Sequence, residues 1–520
     1  MIDRGLGLAQ LIALAAVILS ISLAFFHFYA AAFGTPETRS FRSTHLTVML
    51  VLAVLLHPLR RKSCRDPIML GDGGDTMRMG AFLFDMLLVV IGIGIQIYTL
   101  WDVEEFMMRE GELTQTDVLV GSVMLLLVLE VTRRTVGWPM VIIAAFFAVH
   151  ALYAPSFPGF FYGPPTSFEK YIDLLFMRSE GIFGIPLFVA STYIVLFIMF
   201  GAVLIRSGAG RFFIDLAVAL TGHRTGGPAK AAVVASAFLG TVSGSAVANV
   251  VTTGSFTIPL MRRLGYRPKF AAAVEACASS GGQITPPIMG AAAFIIAEFM
   301  QVSYLWVVVA AILPTLLYFA TIYFMVDLEA AKHNIERVPK EQLPRVGEVL
   351  AVGWHLMFAL VVLVSLLAYG YTAMMAAFWS TLTLIALSFI SKTTRMSAID
   401  LLAALENGVR AAMPVSIACA CAGIIIGSIF VSGLGLKFTN SVISIADGNL
   451  FVLLVMTGLA AIVLGMGMTT TAVYITVAAL IVPSLIEIGV SPMAAHLFAF
   501  YFGVVSSITP PVALASFAAA

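Results

Sequence analysis

Two stretches of this sequence place proline and threonine inside long apolar runs. Residues 284–287 read Ile-Thr-Pro-Pro, and residues 508–511 repeat the same four residues. Because proline has no backbone donor and blocks the continuation of a preceding helix, each stretch predicts an interrupted helix. At such a break the freed carbonyl and threonine oxygens can hold a cation, and the N-terminus of the next half-helix can attract an anion. The chemistry indicated is therefore the binding of small ions.

A polar segment precedes each interrupted helix. Residues 240–255 read GTVSGSAVANVVTTGS, and residues 465–476 read GMGMTTTAVYIT. Each segment predicts the tip of a re-entrant hairpin, in which two half-helices meet and expose serine, threonine and carbonyl oxygens. The first hairpin would span residues 228–262 and the second residues 449–486. Hard cations such as sodium prefer oxygen ligands of this kind. The alternative for any single residue is that a small side chain only lets helices pack closely.

The two regions are copies of one repeat. A shift of 224 residues pairs Pro259 with Pro483 and aligns the two Ile-Thr-Pro-Pro stretches. The connecting segment 261–269 carries four positive charges, whereas its counterpart 485–493 carries one negative charge and no positive one. Since positively charged loops favour the cytoplasm, the two copies are predicted to be inverted relative to each other. Inverted repeats with interrupted helices are typical of secondary transporters.

One carboxylate lies within the first interrupted helix. Glu275 precedes Thr285 by ten residues, and an ionisable residue inside a membrane span is a functional candidate by default. Glu275 is therefore a candidate coupling carboxylate that could relay a proton or help to hold a cation. The structural alternative is an ion pair with Arg267 or Lys269 near the cytoplasmic end of the segment.

The elements that position these residues must lie in a membrane. Of the 520 residues, 60% are hydrophobic and 11% are charged, and this composition with recurring long apolar runs predicts a bundle of transmembrane helices. Residues 210–224 instead predict an amphipathic helix at the membrane surface. The predicted crossings are 7–32, 44–59, 80–100, 116–132, 137–154, 182–206, 305–326, 348–369, 372–391 and 411–431.

Lysine and arginine predict the orientation of the bundle. The basic loop RRKSCR at 60–65 is expected in the cytoplasm, and the acidic loop at 101–117 is expected outside. The apolar run that begins the chain is longer than a typical signal-peptide core, so it predicts a retained first helix. The chain is thus expected to be a multi-pass protein of the bacterial cytoplasmic (inner) membrane, with its N-terminus in the cytoplasm.

At these residues the sequence resembles the membrane subunit of a TRAP (tripartite ATP-independent periplasmic) transporter. The resemblance rests on GTVSGSAVANVVTTGSFTIPLM, GGQITPPIMGAAAF, GMGMTTTAVY and AAHLFAFYFGVVSSITPP. Earlier segments, EVTRRTVGWP and EGIFGIPL, are similar to the fused form in which the small and large subunits make one chain. The pattern is most similar to the TAXI-type branch of the family.

The resemblance implies an architecture. The fold class is an all-α polytopic membrane protein, an inverted-repeat elevator-type transporter with two re-entrant helical hairpins, interrupted helices and a small N-terminal helical bundle. Residues 1–135 would form the small scaffold bundle, and residues 136–520 the large permease unit, with repeats at about 182–299 and 411–520. Fused members of the family generally continue for further helices, so the chain is expected to be a C-terminally truncated fragment.

The resemblance also implies a function. The chain would import a small organic anion, typically a carboxylate, with sodium as the coupling ion and a TAXI-like periplasmic binding protein as partner. No other cofactor and no nucleic acid is expected. The implied cation-binding residues are Ser243, Gly244, Ser245, Asn249, Thr285, Gly465, Thr469, Thr470 and Thr509. The implied substrate-binding residues are Ser245, Thr252, Pro286, Thr471 and Pro510.

Other functions are weighed against this one. The first alternative is a stand-alone cation-coupled anion symporter that needs no binding protein, and a second is proton coupling through Glu275. The sequence lacks the motifs of zinc proteases and P-loop ATPases, and it has no serine-hydrolase motif in a suitable context, so neither an enzyme nor an ATP-driven pump is predicted. A channel is the weakest alternative, and its mark would be flux independent of any ion gradient.

Overall fold

The computed structural model describes residues 8–59, 79–335, 337–339, 341, 343–510 and 512–520. The predicted cytoplasmic loop at 60–65 and Pro511 of the second Ile-Thr-Pro-Pro stretch lie outside these ranges. Within them the regular secondary structure is helical and contains no strand. This confirms the all-α class that the apolar composition predicts.

The first half of the chain contains twelve described α-helices, α1 to α12. They are α1 (Leu8–Phe33), α2 (Thr38–Leu56), α3 (Met79–Leu100), α4 (Val103–Met108), α5 (Gln115–Thr135), α6 (Trp138–Tyr153), α7 (Phe168–Ile172), α8 (Ile185–Val189), α9 (Val195–Arg206), α10 (Ala209–Thr221), α11 (Gly227–Ser243) and α12 (Ala246–Arg263). A π-helical turn, Ala190–Ile194, joins α8 to α9, so that Ile185–Arg206 is one continuous span.

The second half begins with the first interrupted helix. Its helices are α13 (Pro268–Gly282), α14 (Ala291–Phe299), α15 (Tyr304–Lys332), α16 (Val346–Ala368), α17 (Ala373–Ser388), α18 (Ala398–Val431), α19 (Leu434–Ile445), α20 (Leu450–Leu464), α21 (Thr470–Leu480), α22 (Val482–Glu487), α23 (Pro492–Ser506) and α24 (Leu514–Ala519).

Among the described residues, nine helices are long and apolar enough to cross a membrane. They correspond to nine of the predicted crossings, while the crossing predicted at 372–391 is the 16-residue helix α17. Helix α18 begins at Ala398, earlier than the predicted start at 411. The charges of this added stretch are paired: Asp400 accepts from Arg206 at 2.6 Å, and Glu406 accepts from Arg410, one turn away, at 2.5 Å.

The chain divides into two compact units. The first comprises residues 1–195 and 405–441, and the second comprises residues 196–404 and 442–520. Residues 155–181, which are rich in proline, glycine and aromatic residues, fall in the first unit. The boundary predicted near residue 135 separates a segment like the small subunit from a segment like the large subunit. The division into compact units does not test that boundary, so it stays a prediction.

Polar bonds join the helices inside the first unit. His27 Nε2 lies 2.9 Å from His45 Nδ1, and His45 Nε2 lies 2.9 Å from Ser416 Oγ, which links α1, α2 and α18. Arg39 is buried, donates to the Phe176 carbonyl at 2.5 Å and lies 3.6 Å from the centre of the Phe183 ring. These contacts give each of these polar side chains at least one partner in an apolar interior. Among the described residues, Nδ1 of His27 and Nε and Nη1 of Arg39 are buried without a hydrogen-bond partner.

The second unit contains both predicted hairpins and both interrupted helices. Helices α11 and α12 form the first hairpin and helices α20 and α21 the second, and both pack within this unit against α13 and α23 respectively. Helix α10 covers α11 and packs against α16, with an apolar face that includes Phe212 and Phe213. The second unit therefore carries every residue that the sequence nominates for ion and substrate binding.

Candidate functional site

The first hairpin turns sharply at its tip. Helix α11 ends at Ser243, and Gly244 adopts a left-handed conformation (φ +61°) that glycine reaches at little cost. Ser245 is extended and starts α12, with its hydroxyl accepting a hydrogen bond from the Ala248 N–H at 3.4 Å. The predicted break is therefore present, and the sequence builds it from one turn glycine and one serine cap.

The hairpin meets the interrupted helix at a glycine crossing. A Cβ atom built on Gly240 would overlap the Cα of Gly282, and a Cβ on Gly282 would overlap the Cα of Gly240. The Gly244 tip lies beside the unwound part of the second element, since a Cβ there would be 3.4 Å from the Met289 carbonyl oxygen. Two polar backbone segments are thereby brought together without intervening side chains.

The unwound segment between α13 and α14 is held by side chains of α15. Thr315 donates to the Ile284 carbonyl at 2.6 Å, and the Tyr304 hydroxyl contacts the carbonyls of Pro287, at 3.0 Å, and Ile288. Non-helical backbone inside a membrane protein persists only where its polar groups find partners or line a cavity. Helix α15 supplies these partners, so Tyr304 and Thr315 are positioning residues that sequence reasoning missed.

Two amide oxygens near the crossing are buried without a hydrogen-bond donor among the described residues. Asn249 donates its Nδ2 to the Ser236 carbonyl at 2.9 Å, which leaves its Oδ1 as an unused acceptor. Gln283, the first residue of the unwound segment, has an unused Oε1 of the same kind. Both side chains are at least nine-tenths buried. Asn249 was nominated from the sequence, whereas Gln283 was missed; its signal was a polar side chain at the start of the break.

The two copies of the repeat adopt the same backbone at the break. Thr285 donates to the Gly281 carbonyl at 2.9 Å, and Thr509 donates to the Val505 carbonyl at 2.8 Å. Among the described residues of the two breaks, the non-glycine residues with positive φ are Met289 at 60° and Ala513 at 41°, and they are again 224 positions apart. These matched details of the described backbone support the duplication inferred from the sequence.

The second hairpin repeats the contact of the first. Helix α20 ends before Gly465, and a Cβ built there would overlap the side chain of Ser506, the counterpart of Gly282. Thr469 is the extended cap of α21 and accepts from the Ala472 N–H at 3.4 Å, as Ser245 does in α12. The two caps are 224 positions apart, whereas Gly240 and Gly465 are 225 apart. The one-residue difference therefore lies in the tip.

The ends of the two interrupted helices touch. Ser280 Oγ lies 3.1 Å from Ser507 Oγ, which joins the last turn of α13 to the end of α23. Thr285 and Thr509 follow these serines at the two breaks and are both half-buried. The structure thus brings the two interruptions into one region of the second unit.

The remaining nominated residues are distributed around the two tips. Thr252 donates to its own helix at the Ala248 carbonyl, at 2.8 Å. Thr470 and Thr471 begin α21, where Thr471 is buried and Thr470 half-buried. Pro286 is half-buried and Pro510 exposed. The structure places all of these in the second unit, and their proposed ligands stay predictions.

Glu275 is fully buried and forms no ion pair with any residue that the structure describes. Its carboxylate contacts four hydroxyl groups, which belong to Ser236, Thr253, Thr257 and Ser279. The alternative of a bond to Arg267 or Lys269 is wrong, because both of these side chains are exposed and neither bonds Glu275 among the described contacts.

A family model matches residues 123–520 of the chain and is described as "Tripartite ATP-independent periplasmic transporter, DctM component". The chain belongs to this family. The family is one of membrane transporter components, so the interpretation of the chain as a transporter component and not an enzyme is confirmed. The TAXI-type branch and the fused small subunit stay predictions.

Curated relatives carry TRAP permease names. The chain is 28% identical over 216 residues to the C4-dicarboxylate TRAP transporter large permease protein DctM of Pseudomonas aeruginosa, covering 41% of this chain and 48% of the relative. It is 28% identical to the 2,3-diketo-L-gulonate TRAP transporter large permease protein YiaN of Escherichia coli, covering 32% of this chain and 39% of the relative. The chain therefore spans about half or less of the length of these relatives.

A further relative and one solved structure are also similar to parts of the chain. The isethionate TRAP transporter permease protein DctMQ of Oleidesulfovibrio alaskensis is 32% identical, over 24% of this chain and 18% of that protein. The solved structure of the YdaH transporter of Alcanivorax borkumensis superposes with a TM-score of 0.49 at 16% identity, covering 72% of this chain and 88% of that one.

Proposed function

We propose that this TRAP-family chain is the membrane subunit of a secondary transporter that imports a small organic anion together with sodium. The observation that carries the proposal is the match of the family model to residues 123–520. The geometry of the second unit agrees with it, since two hairpins and two interrupted helices form a pair of related half-sites.

The first half-site, which comprises the tip of the first hairpin and the break at 284–287, offers two unused oxygens as ligands for the proposed sodium ion. The unused Oδ1 of Asn249 and Oε1 of Gln283 are buried near the crossing of Gly240 with Gly282. Neutral carbonyl-type oxygens suit a hard monovalent cation. No cluster of histidine, cysteine and acidic side chains that could hold a transition metal occurs among the described residues. We therefore assign the coupling cation to this half-site, with Ser243, Gly244, Ser245 and Thr285 close by along the chain.

The helix N-terminus that follows the first interruption favours an organic anion as the substrate. Helix α14 begins inside the second unit at Ala291, and its N-cap, Gly290, has no side chain to bond the first N–H groups. Free N–H groups at such a terminus attract negative charge. The relatives named for C4-dicarboxylate and diketogulonate transport are permeases of organic acids. The substrate class proposed for this chain is accordingly a small carboxylate bound between the two tips.

A periplasmic binding protein is the proposed donor of substrate, as the family description implies. Import would proceed by an elevator movement in which the hairpins and interrupted helices travel together. Their packing favours this, because the hairpins contact the interrupted helices along much of their length inside one compact unit. The N-terminus is proposed to face the cytoplasm of a bacterial inner membrane.

Uptake into proteoliposomes tests the proposal. The chain is reconstituted with a candidate binding protein loaded with radiolabelled dicarboxylate, and a sodium or a potassium gradient is applied. We expect uptake only with sodium and only with the binding protein. Uptake without the binding protein would favour the stand-alone symporter, and equal uptake with potassium would exclude sodium coupling.

A substitution at Asn249 tests the cation site within the same assay. Asn249→Val introduces the residue that occupies the equivalent position of the second copy, Val473. Removing one buried oxygen ligand should raise the sodium concentration for half-maximal uptake about tenfold, since such a contact contributes about 1–3 kcal/mol. The control is Asn440→Val, an exposed asparagine on α19. An unchanged sodium dependence in Asn249→Val would remove Asn249 from the site.

A further inference from the structure

A cage of hydroxyl groups surrounds Glu275 in the second unit. Ser236 of α11 donates to Oε1 at 2.8 Å, and Ser279 of α13 donates to the same oxygen at 3.0 Å. Thr257 of α12 donates to Oε2 at 2.5 Å, and Thr253 of the same helix contacts Oε1. The hydroxyl cage therefore connects both arms of the first hairpin to the first interrupted helix.

The cage supplies no positive charge. On α11, Lys230 is engaged by Asp327 of α15 and is also 4.5 Å from the centre of the Tyr323 ring. The basic residues at the end of α12, Arg262 and Arg263, are exposed. On α10, Arg211 pairs with Asp215 at 3.7 Å. In the described part of the chain, the carboxylate of Glu275 is thus bonded by hydroxyls and not by a basic side chain.

The other titratable groups on the surrounding helices are also engaged elsewhere or neutral. On α13, Cys277 is a half-buried thiol, and Tyr318 of α15 donates to its backbone carbonyl at 2.9 Å. On α23, His496 bonds the Tyr474 hydroxyl at 2.8 Å. Helix α24, which packs on α12 and α13, has no titratable side chain. Burying an isolated carboxylate costs far more than burying the neutral acid, so this site requires a compensating charge.

Hydroxyl groups can serve both forms of a carboxyl group. A hydroxyl donates to an ionised carboxylate and can accept from a protonated one, unlike an arginine, which only donates. Two of the cage hydroxyls already have a second acceptor: Thr253 lies 2.8 Å from the Asn249 carbonyl, and Thr257 lies 3.0 Å from the Thr253 carbonyl. When Glu275 takes up a proton, these hydroxyls can turn to their helix carbonyls while the acid donates its new proton within the cage.

We propose that Glu275 is a proton-binding site whose occupancy sets how firmly the first hairpin is held to α13. One proton from water binds a carboxylate oxygen, forming an O–H bond and removing the negative charge, and no other covalent bond changes. In the ionised state the cage hydroxyls of α11 and α12 both donate to the carboxylate. In the protonated state those charge-assisted bonds are exchanged for weaker neutral ones.

The cage is a property of one copy of the repeat. The positions equivalent to Thr253, Thr257, Glu275 and Ser279 are Val477, Ile481, Ala499 and Gly503. The second hairpin therefore lacks both the carboxyl group and the hydroxyl groups that donate to it. The site at Glu275 is accordingly absent from the second copy, and its protonation would act on the first hairpin. The proton site and its effect on the hairpin do not depend on the proposed transport function. An effect of this site on import would depend on it.

Infrared spectroscopy of the full chain in lipid nanodiscs tests the proton site without any transport measurement. We expect a C=O stretching band of a buried carboxylic acid that disappears on titration with base. The band should be missing from Glu275→Gln and retained in Glu348→Gln, which removes an exposed carboxylate on α16. No band assignable to Glu275 at any pH at which the protein is folded would overturn the proposal.

A second variant keeps the test decisive if Glu275→Gln does not fold. Thr257→Val removes one donor of the cage and should shift the pH at which the band disappears. Thr321→Val removes a hydroxyl that bonds only its own helix, at the Leu317 carbonyl, and should leave that pH unchanged. Equal behaviour of these two threonine variants would contradict a role for the cage.

Hydrogen exchange tests the link to the hairpin. After correction for the intrinsic pH dependence of exchange, the amides of residues 246–263 should become less protected on acidification, with the same midpoint as the infrared band. The amides of 470–480, in the second hairpin, should not follow that midpoint. A band that titrates while exchange in the first hairpin stays constant would overturn the inferred coupling.

Discussion

At the scale of single residues, the unwound segment between α13 and α14 is held in place by a side chain of another helix. Tyr304 of α15 is buried, and its hydroxyl contacts the carbonyls of both Pro287 and Ile288. Both carbonyls lie between the end of α13 and the start of α14, so neither belongs to the hydrogen-bond ladder of a helix. The shape of the break therefore depends on a residue that is distant in sequence from the Ile-Thr-Pro-Pro stretch.

Removing that hydroxyl should destabilise the protein. Tyr304→Phe leaves two buried carbonyls without their donor, at a cost of about 1–3 kcal/mol. Thermal unfolding in detergent should show a clearly lowered Tm. The control is Tyr323→Phe, since the Tyr323 hydroxyl only accepts from Arg224 at an exposed position, at 3.2 Å. Equal effects of the two substitutions would mean that Tyr304 does not support the unwound backbone.

At the scale of elements, each hairpin depends on a close approach to an interrupted helix. Gly240 and Gly282 bring the backbones of α11 and α13 into contact, and Gly465 with Ser506 does the same for α20 and α23. Small residues at helix interfaces of membrane proteins permit this kind of packing. The position of each tip relative to its break is set by these contacts.

Gly240→Ala should disturb the first crossing. The added methyl group would overlap the Gly282 backbone, and overpacking of this kind costs about 1–3 kcal/mol. Gly347→Ala is the matched control, because Gly347 is a helical glycine with no atom within 4 Å of a built Cβ. Alanine there should stabilise α16 by up to about 1 kcal/mol. A Gly240→Ala protein as stable as the Gly347→Ala protein would contradict the observed crossing.

The hydrogen bonds of Glu37 at the start of α2 predict that the stability of the first unit depends on pH. Partial burial by itself raises the pKa of Glu37, but backbone hydrogen bonds from Arg39 and Ser40, both at 2.7 Å, together with the Ser40 hydroxyl, outweigh it and lower that pKa. A carboxylate with a lowered pKa stabilises the folded state above its ordinary pKa, and the stabilisation is lost as the pH falls through the folded-state value.

Glu37→Gln should therefore lower the thermal stability of the protein at neutral pH but not in acid. The wild-type protein is expected to unfold at a higher temperature than the variant near pH 7, with the difference shrinking as the carboxylate protonates below about pH 4. Glu348→Gln is the control, because α16 has no side-chain cap bond at its start. A difference between wild type and Glu37→Gln that is constant with pH would exclude the cap as its cause.

At the scale of the whole molecule, the predicted inversion of the two copies is a statement about sides of the membrane. Arg263 and Glu487 occupy equivalent positions of the two copies, and both are exposed at the end of their hairpins. Neither has positive φ, unlike Gly265 and Gly489 two positions further on, so a cysteine fits there without backbone strain. They are suitable positions for a labelling experiment.

Arg263→Cys and Glu487→Cys, each in a background without the native cysteines, should react from opposite sides. A membrane-impermeant maleimide added to intact cells should label Glu487→Cys, whereas Arg263→Cys should react only after the membrane is opened. The sides follow from the positive charges of 261–269 and the negative charge of 485–493. Labelling of both cysteines from one side would exclude inverted copies.

The local features of the site could largely be predicted from the sequence. The proline pairs indicate both breaks because proline interrupts a helix wherever it lies, and the glycine-rich and serine-rich segments indicate both tips because turns need those residues. The fixed shift between copies also predicts that Thr285 and Thr509 adopt equivalent conformations, as they do. These properties depend on the chain within a few turns of each residue.

Only the tertiary structure decided which partners those residues meet. The four hydroxyls around Glu275 lie on three helices, and the donors to the first break come from α15. The sequence left an ion pair with Arg267 or Lys269 open for Glu275, since charge and proximity along the chain permit it. Whether a buried carboxyl meets a basic side chain or a hydroxyl depends on how the helices are rotated and packed, and contacts between separate helices set that rotation. The sequence by itself therefore determined where the helices break, and the packing of the second unit determined what surrounds the breaks.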